Sequence, residues 1–230
     1  LTGGLNVRDV VGASIATLHA DAHQISLDKL KPLAQSAQLE QVALAGTLNG
    51  DMDASWRRKL ENLVARTNAT IQANVASSRG SNAIPVSAVV HAQYAAAGKR
   101  ISLQQSYLRL PQSSLNLNGT VSRNSSLQIR FQSSNLHELE SVADVLDPAL
   151  QAPNSQLGLY GTASFTGVMR GSTSVPQLAG QLRAESLQIK GSSWRMLRTD
   201  VEVNPSLAAL RHGELQPANG GRIAFSLSTA

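Results

Sequence analysis

The sequence predicts a mainly β protein built from one-sided antiparallel strands, with two or three short helices between them. Three observations carry that expectation. Apolar residues recur at every second position over long stretches, turn formers punctuate those stretches, and three segments break the alternation with helical spacing.

The alternation is clearest from residue 86 onward. Val86, Ala88, Val90, Ala92, Tyr94 and Ala96 share one parity. Leu115, Leu117, Gly119 and Val121 share another run, followed by Leu127, Ile129 and Phe131 in the same odd register. The pattern returns in Leu157, Leu159, Gly161, Ala163 and Phe165, in Leu178, Gly180, Leu182 and Ala184, and in Ile223, Phe225 and Leu227. Between them stand Asn116, Asn118, Thr120, Gln128, Arg130 and Gln132, so each strand has one dry face and one wet face, as in antiparallel sheets. Turns are expected at 82–85, Gly98, Pro111, Gly171, Pro176, Gly191, Pro205 and Gly220–Gly221.

Helices are expected in three places. Leu27, Leu30 and Leu33 have threefold spacing within 27–36, and Ser55 to Val64, with Trp56, Arg57, Arg58, Lys59 and Leu60, reads as a short amphipathic helix. The third covers 135–147. Asn135 followed three residues later by Glu138 resembles a capping box, and Leu136, Leu139, Val142, Ala143 and Leu146 form a stripe that stops at Pro148. Similar fragments recur at a spacing of about 110 residues, the mark of an elongated array. They divide the chain into 1–38, the end of one unit with its short helix; 39–147, a central β unit ending in a helix; and 148–230, the start of the next.

Composition excludes several classes. With 230 residues and 42% hydrophobic content the chain can bury a core, and its plentiful aliphatic residues argue against disorder. Charged residues make up 15%, below the roughly 25% of ordinary globular chains. There is no Cys, so disulfides, Cys zinc sites and thiol catalysis are out, and an oxidising compartment is permitted. No apolar run approaches the roughly 18 residues of a transmembrane helix. The chain begins at Leu1 rather than Met, which reads as a piece of a longer protein.

Catalytic motifs are missing: no GxSxG, P-loop, GxGxxG or HExxH is present, so an enzyme is not expected and no cofactor is implied. His19, Asp21 and His23 would share one face of a strand. They are either three metal-ligating groups or, as preferred here, part of a polar solvent face. Lys and Arg total 20 against 15 Asp and Glu, but the basic clusters Arg57-Arg58-Lys59 and Lys99-Arg100 are short, and 2 Trp, 3 Tyr and 3 Phe serve the whole chain. That is too sparse a set of stacking platforms for a nucleic-acid surface. An anionic lipid surface suits Trp56 beside Arg57 better.

The dry face is rich in Leu, Val, Ile, Ala and Gly and poor in rings. It fits either an ordinary sandwich core or a groove whose missing packing partner is a lipid chain.

Three stretches resemble the AsmA-like superfamily, in particular its TamB-type (translocation and assembly module) branch. They are Phe131-Gln132-Ser133-Ser134-Asn135-Leu136-His137-Glu138-Leu139; Gly161-Thr162-Ala163-Ser164-Phe165-Thr166-Gly167 leading to Val175-Pro176-Gln177-Leu178-Ala179-Gly180-Gln181-Leu182; and Pro217-Ala218-Asn219-Gly220-Gly221-Arg222-Ile223. The resemblance covers most of the chain from about Ile25 and is a repeat pattern rather than a catalytic signature. It implies an elongated, curled antiparallel sheet, a β-groove of taco-like repeats, in a periplasmic protein anchored to the inner membrane by a segment outside this chain. The implied function is a lipid-transfer groove that shields phospholipid acyl chains between the two membranes in outer-membrane biogenesis, with an outer-membrane barrel assembly factor as partner. Leu115, Leu117, Val121, Leu127, Ile129, Phe131, Leu157, Leu159, Phe165, Leu178, Leu182, Ile223 and Phe225 are the candidate groove residues. The competing expectation is a structural or adhesive secreted β-array with no lipid groove.

Overall fold

A computed structural model of the chain describes residues 2–10, 13–29, 42–77, 83–146 and 157–229. Thirteen strands form a single antiparallel sheet whose spatial order is the sequence order: β1 (Thr2–Val10), β2 (Ala13–Ser26), β3 (Val42–Arg57), β4 (Lys59–Ser77), β5 (Ile84–Ala95), β6 (Arg100–Arg109), β7 (Ser113–Val121), β8 (Ser125–Ser133), β9 (Tyr160–Gly171), β10 (Pro176–Ile189), β11 (Ser192–Asn204), β12 (Leu207–Pro217) and β13 (Ile223–Thr229). The sheet is open, with β1 and β13 at its two ends. The alternating runs expected from the sequence fall on β5, β7, β8, β9, β10 and β13.

Of the three expected helices, the last is α1, His137–Leu146. The first is represented by one 3-10 turn at 27–29 with Leu27 buried, and residues 30–36 lie outside the described residues. The middle one is not a helix. Ser55 to Arg57 ends β3, Arg58 reverses the chain with a φ of +56°, and Lys59 opens β4, the longest strand at 19 residues. The reason lies downstream. Leu63, Ala65, Thr67, Ala69, Ile71, Ala73 and Val75 alternate with Val64, Arg66, Asn68, Thr70, Gln72 and Asn74, and Val64 to Val75 pair residue for residue with both β3 and β5. A ladder of that length outweighs the weak helical spacing at its start.

Directly paired residues of antiparallel strands share a face. Tracing the register therefore shows whether the dry faces join, and they do. From Leu48 the apolar side runs through Ile71, Ala88, Leu108, Leu115 and Phe131 to Phe165, Leu182 and Thr199. A parallel row links Leu127, Met169, Leu178, Val203 and Ala208. On β12 and β13 it continues as Leu210 opposite Leu227 and Leu215 opposite Ile223.

Bulges keep this face continuous, four of them holding a residue at positive φ. β2, β6, β10 and β12 each carry one extra residue against a neighbour, within 22–25, 103–106, 185–188 and 210–213. Each holds a residue at positive φ: Gln24 (+49°), Gln105 (+46°), Ser186 (+50°) and His212 (+49°). At each bulge the apolar parity switches in step, as from Ile101 and Leu103 to Ser106 and Leu108, or from Leu182 and Ala184 to Leu187 and Ile189. One inserted residue turns a strand over, and the sequence turns its pattern over at the same place.

Candidate functional site

The apolar face is the site that the sequence points to. Leu115, Leu117 and Val121 on β7 meet Leu127, Ile129 and Phe131 on β8, with Leu115 opposite Phe131 and Leu117 opposite Ile129. Phe165 follows on β9, Leu178 and Leu182 on β10, and Ile223 and Phe225 on β13, all on the same face. Leu157 and Leu159 differ, since both precede β9. Leu159 packs into the cluster beneath α1, and Leu157 is largely exposed. The register adds Ile71, Ile101, Leu108, Met169, Val203, Leu210 and both tryptophans to the face. The parity switches at the bulges are the signal that would have revealed Leu108 and Leu215.

All thirteen strands belong to one sheet, so there is no separate second sheet among the described residues to pack on this face. Tyr94, Ile101, Leu108, Val203, Ile223 and Leu227 lie on it and remain between 37% and 61% exposed. The buried apolar side chains are mostly alanines, at 16, 54, 73, 88, 184 and 209.

Two of the three phenylalanines on the face, Phe165 and Phe225, lie down on it. The Phe165 ring covers the facing glycines Gly167 and Gly180, where an added Cβ would sit 2.5 and 2.7 Å from the ring edge. The Phe225 ring covers Gly213 in the same way, at 2.4 Å. Rings resting on glycine do not project into a core, and they shield backbone that glycine would leave bare.

The polar residues buried in the face are small hydroxyls with partners. Ser106, beside the β6 bulge, donates to His91 O at 3.3 Å and accepts from His91 N–H at 3.1 Å. Thr199, 1% exposed, donates to Arg211 O at 3.0 Å beside the β12 bulge. Ser113 donates to Ser133 at 3.0 Å, and Ser125 to Ser122 O at 3.0 Å. The hydroxyls thus satisfy groups that the bulges and strand ends would otherwise leave unpaired.

Among the described residues one helix lies on the face. α1 covers part of β9–β11: Leu136 is buried with Ala184 and Leu187, and Leu139, Leu159, Trp194 and Leu197 pack around them. The Asn135 side chain caps the helix by accepting from His137 N–H at 3.1 Å. Glu138 does not close the expected box. Its carboxylate accepts from Gln112 N–H at 2.9 Å on the β6–β7 turn, tying helix to sheet instead.

The opposite face is wet and paired. His19 sits between Asp53 (2.7 Å) and Asp21 (3.1 Å), so both ring nitrogens are spent within a bridge between β2 and β3. The hydrogen bond to Asp53 and the charge of Asp21 hold its pKa above 6.5. His212 pairs with Asp200, Arg211 with Glu202, and Arg222 with Glu214, where the guanidinium holds the carboxyl below its ordinary range. A hollow of about 650 Å³ opens on this side between β5 and β8, lined by His91, Gln105, Asn116, Asn118, Gln128 and Arg130 among others.

No family model, curated protein or solved structure matches the chain.

Proposed function

We propose that the chain is a segment of a periplasmic lipid-transfer trough of the AsmA-like, TamB-type kind, and that its dry face shields phospholipid acyl chains on their way between the inner and outer membranes. The observation that carries this reading is the apolar face running from β2 to β13, much of it solvent-exposed and, among the described residues, overlain only by α1 on β9–β11. Moving a methylene group out of water is worth about 0.8 kcal/mol, so a dry path lowers the barrier across an aqueous gap. Non-directional contacts let a chain slide, since no hydrogen bond must break, while the headgroup stays at the open edge. The flat-lying rings of Phe165 and Phe225 keep such a path smooth.

The position of α1 supports a curled sheet. Its Leu136 end packs on β10, yet the helix also comes within 8 Å, Cα to Cα, of β4. Six strand spacings separate β4 from β10, about 29 Å on a flat sheet. A ten-residue helix spans only about 15 Å, so a bend that brings the two flanks together accounts for both contacts. The chain then works as a conduit rather than an enzyme, held to the inner membrane through a segment outside it and handing lipid toward an outer-membrane barrel assembly factor.

Mass spectrometry of lipid retained after detergent-free purification tests the reading. Co-purifying phospholipid at a defined ratio to protein is the expected result. A lipid-free preparation that also takes up none from vesicles would overturn it in favour of a structural or adhesive β-array.

A further inference from the structure

The dry face is not equally open along its length. Over β9–β11 it is occupied by α1, with Leu136, just before the helix, and Leu139, in its first turn, packed against Ala184, Leu187, Trp194 and Leu197. Hydrogen bonds to the β6–β7 turn, to the segment leading into β9 and to β9 itself fix the helix there. Glu138 accepts from Gln112 N–H, Glu140 accepts from the amides of Leu157 (2.5 Å), Gly158 (3.0 Å) and Leu159 (3.1 Å), and Leu136 N–H donates to Gly161 O at 2.9 Å. Every one of these bonds lies at the N-terminal end of the helix or in its first turn. Among the described residues, Leu136 and Leu139 are the only side chains that the helix and the residue before it add to this cluster.

We infer that α1 is a built-in stopper that occupies β9–β11 in place of an acyl chain, so that lipid enters this stretch only when the helix lifts. The inference rests on the lipid-trough reading and adds regulation to it. In physical terms α1 is an intramolecular competitor. The apparent affinity of this stretch for lipid is lowered by the fraction of molecules in which the helix is seated.

The two tryptophans make the test specific, because both lie on the dry face. Trp194 sits beneath α1, whereas Trp56, opposite Ala16 on β2, does not belong to that cluster. Trp56→Phe and Trp194→Phe leave one reporter each, and the probe is a phosphatidylcholine with a dibrominated stearoyl chain, delivered from vesicles. Bromine quenches indole fluorescence only on contact. Trp56 emission is expected to fall on lipid addition, while Trp194 emission holds until far higher lipid concentration.

Glu140→Gln, and separately Leu136→Ala, loosens the seat. If the lifted state becomes about tenfold more populated, the midpoint for quenching Trp194 falls about tenfold, with that for Trp56 unchanged. The unchanged Trp56 response also shows that the variant sheet is folded. Quenching of the two reporters at the same lipid concentration, in single-tryptophan chains with Leu136 and Glu140 intact, would overturn the stopper. So would a Trp194 that stays bright in both loosened variants while Trp56 is quenched. A Trp56 that is never quenched would instead overturn the trough reading itself.

Discussion

At Glu140 a single carboxylate, 11% exposed, accepts hydrogen bonds from three consecutive backbone amides and lies 3.3 Å from His137 Nδ1. Burial works to raise its pKa. The amides of Leu159, Gly158 and Leu157 and the His137 ring outweigh burial and hold the carboxyl below 4.5. A group whose folded pKa is depressed stabilises the fold above its unfolded value, and that contribution is lost as pH falls through the folded value. Glu140→Gln keeps one acceptor oxygen and turns an NH₂ toward donors, so it is expected to cost about 1–3 kcal/mol near neutral pH. In urea melts the gap between parent and variant closes as pH drops below 4.5. A gap that persists in acid would mean that charge has no part in it. His19 carries the opposite sign. Its pKa is raised by Asp53 and Asp21, so its contribution is complete below 6.5 and disappears as pH climbs through the higher folded value.

Among the elements, β6 shows how the sheet is built. It begins with Ile101 and Leu103 on the dry face and ends with Ser106 and Leu108 there, and Gln105 absorbs the slip at a φ of +46°. A non-glycine residue in the left-handed region is strained by about 1–2 kcal/mol, and a β-branched residue suffers more than glutamine. Gln105→Ile is therefore expected to destabilise by about 1–2 kcal/mol, and Gln105→Gly to be neutral or stabilising by up to about 1 kcal/mol. Thermal melts of the two variants decide it, and equal melting temperatures would mean that the bulge does not need the positive φ. Six of the thirteen strands, β5, β7, β8, β9, β10 and β13, were legible because their alternation is a local signal. The bulges were not read, since Gln24, Gln105, Ser186 and His212 carry no glycine flag and announce themselves only as a change of parity. α1 was legible from Asn135 and its leucine stripe. The partners of Glu138 and Glu140 were not, because Gln112 and residues 157–159 are brought to the helix by the fold alone. Ser55 to Val64 misled for the same reason: local spacing suggested a helix, and pairing with distant strands decided otherwise.

For the molecule as a whole, the shared odd parity of β7 and β8 was enough to place Leu115, Leu117, Leu127, Ile129 and Phe131 together, but whether anything covers them depends on layers that a sequence does not display. Leu117 is the residue at which that difference can be measured. It is half-buried, faces Ser106 on one side and Ile129 on the other, and no second sheet lies above it among the described residues. Under a covering layer, Leu117→Glu would bury an unpaired carboxylate and cost several kcal/mol, enough to unfold a protein of ordinary stability. On an open face the carboxylate reaches water, and only the apolar contacts of Leu117 are lost, about 1.5–3 kcal/mol. The fold is therefore expected to survive with a lowered melting temperature. A charge in the path of a sliding acyl chain must still be desolvated each time a chain passes, so lipid retained after detergent-free purification should fall. Leu60→Glu provides the control, because Leu60 projects at the β3–β4 turn, 65% exposed and away from β7 and β8, and both its melt and its lipid content should match the parent. An unfolded Leu117→Glu chain would show that the face is covered. A folded one with undiminished lipid would remove β7 and β8 from the path.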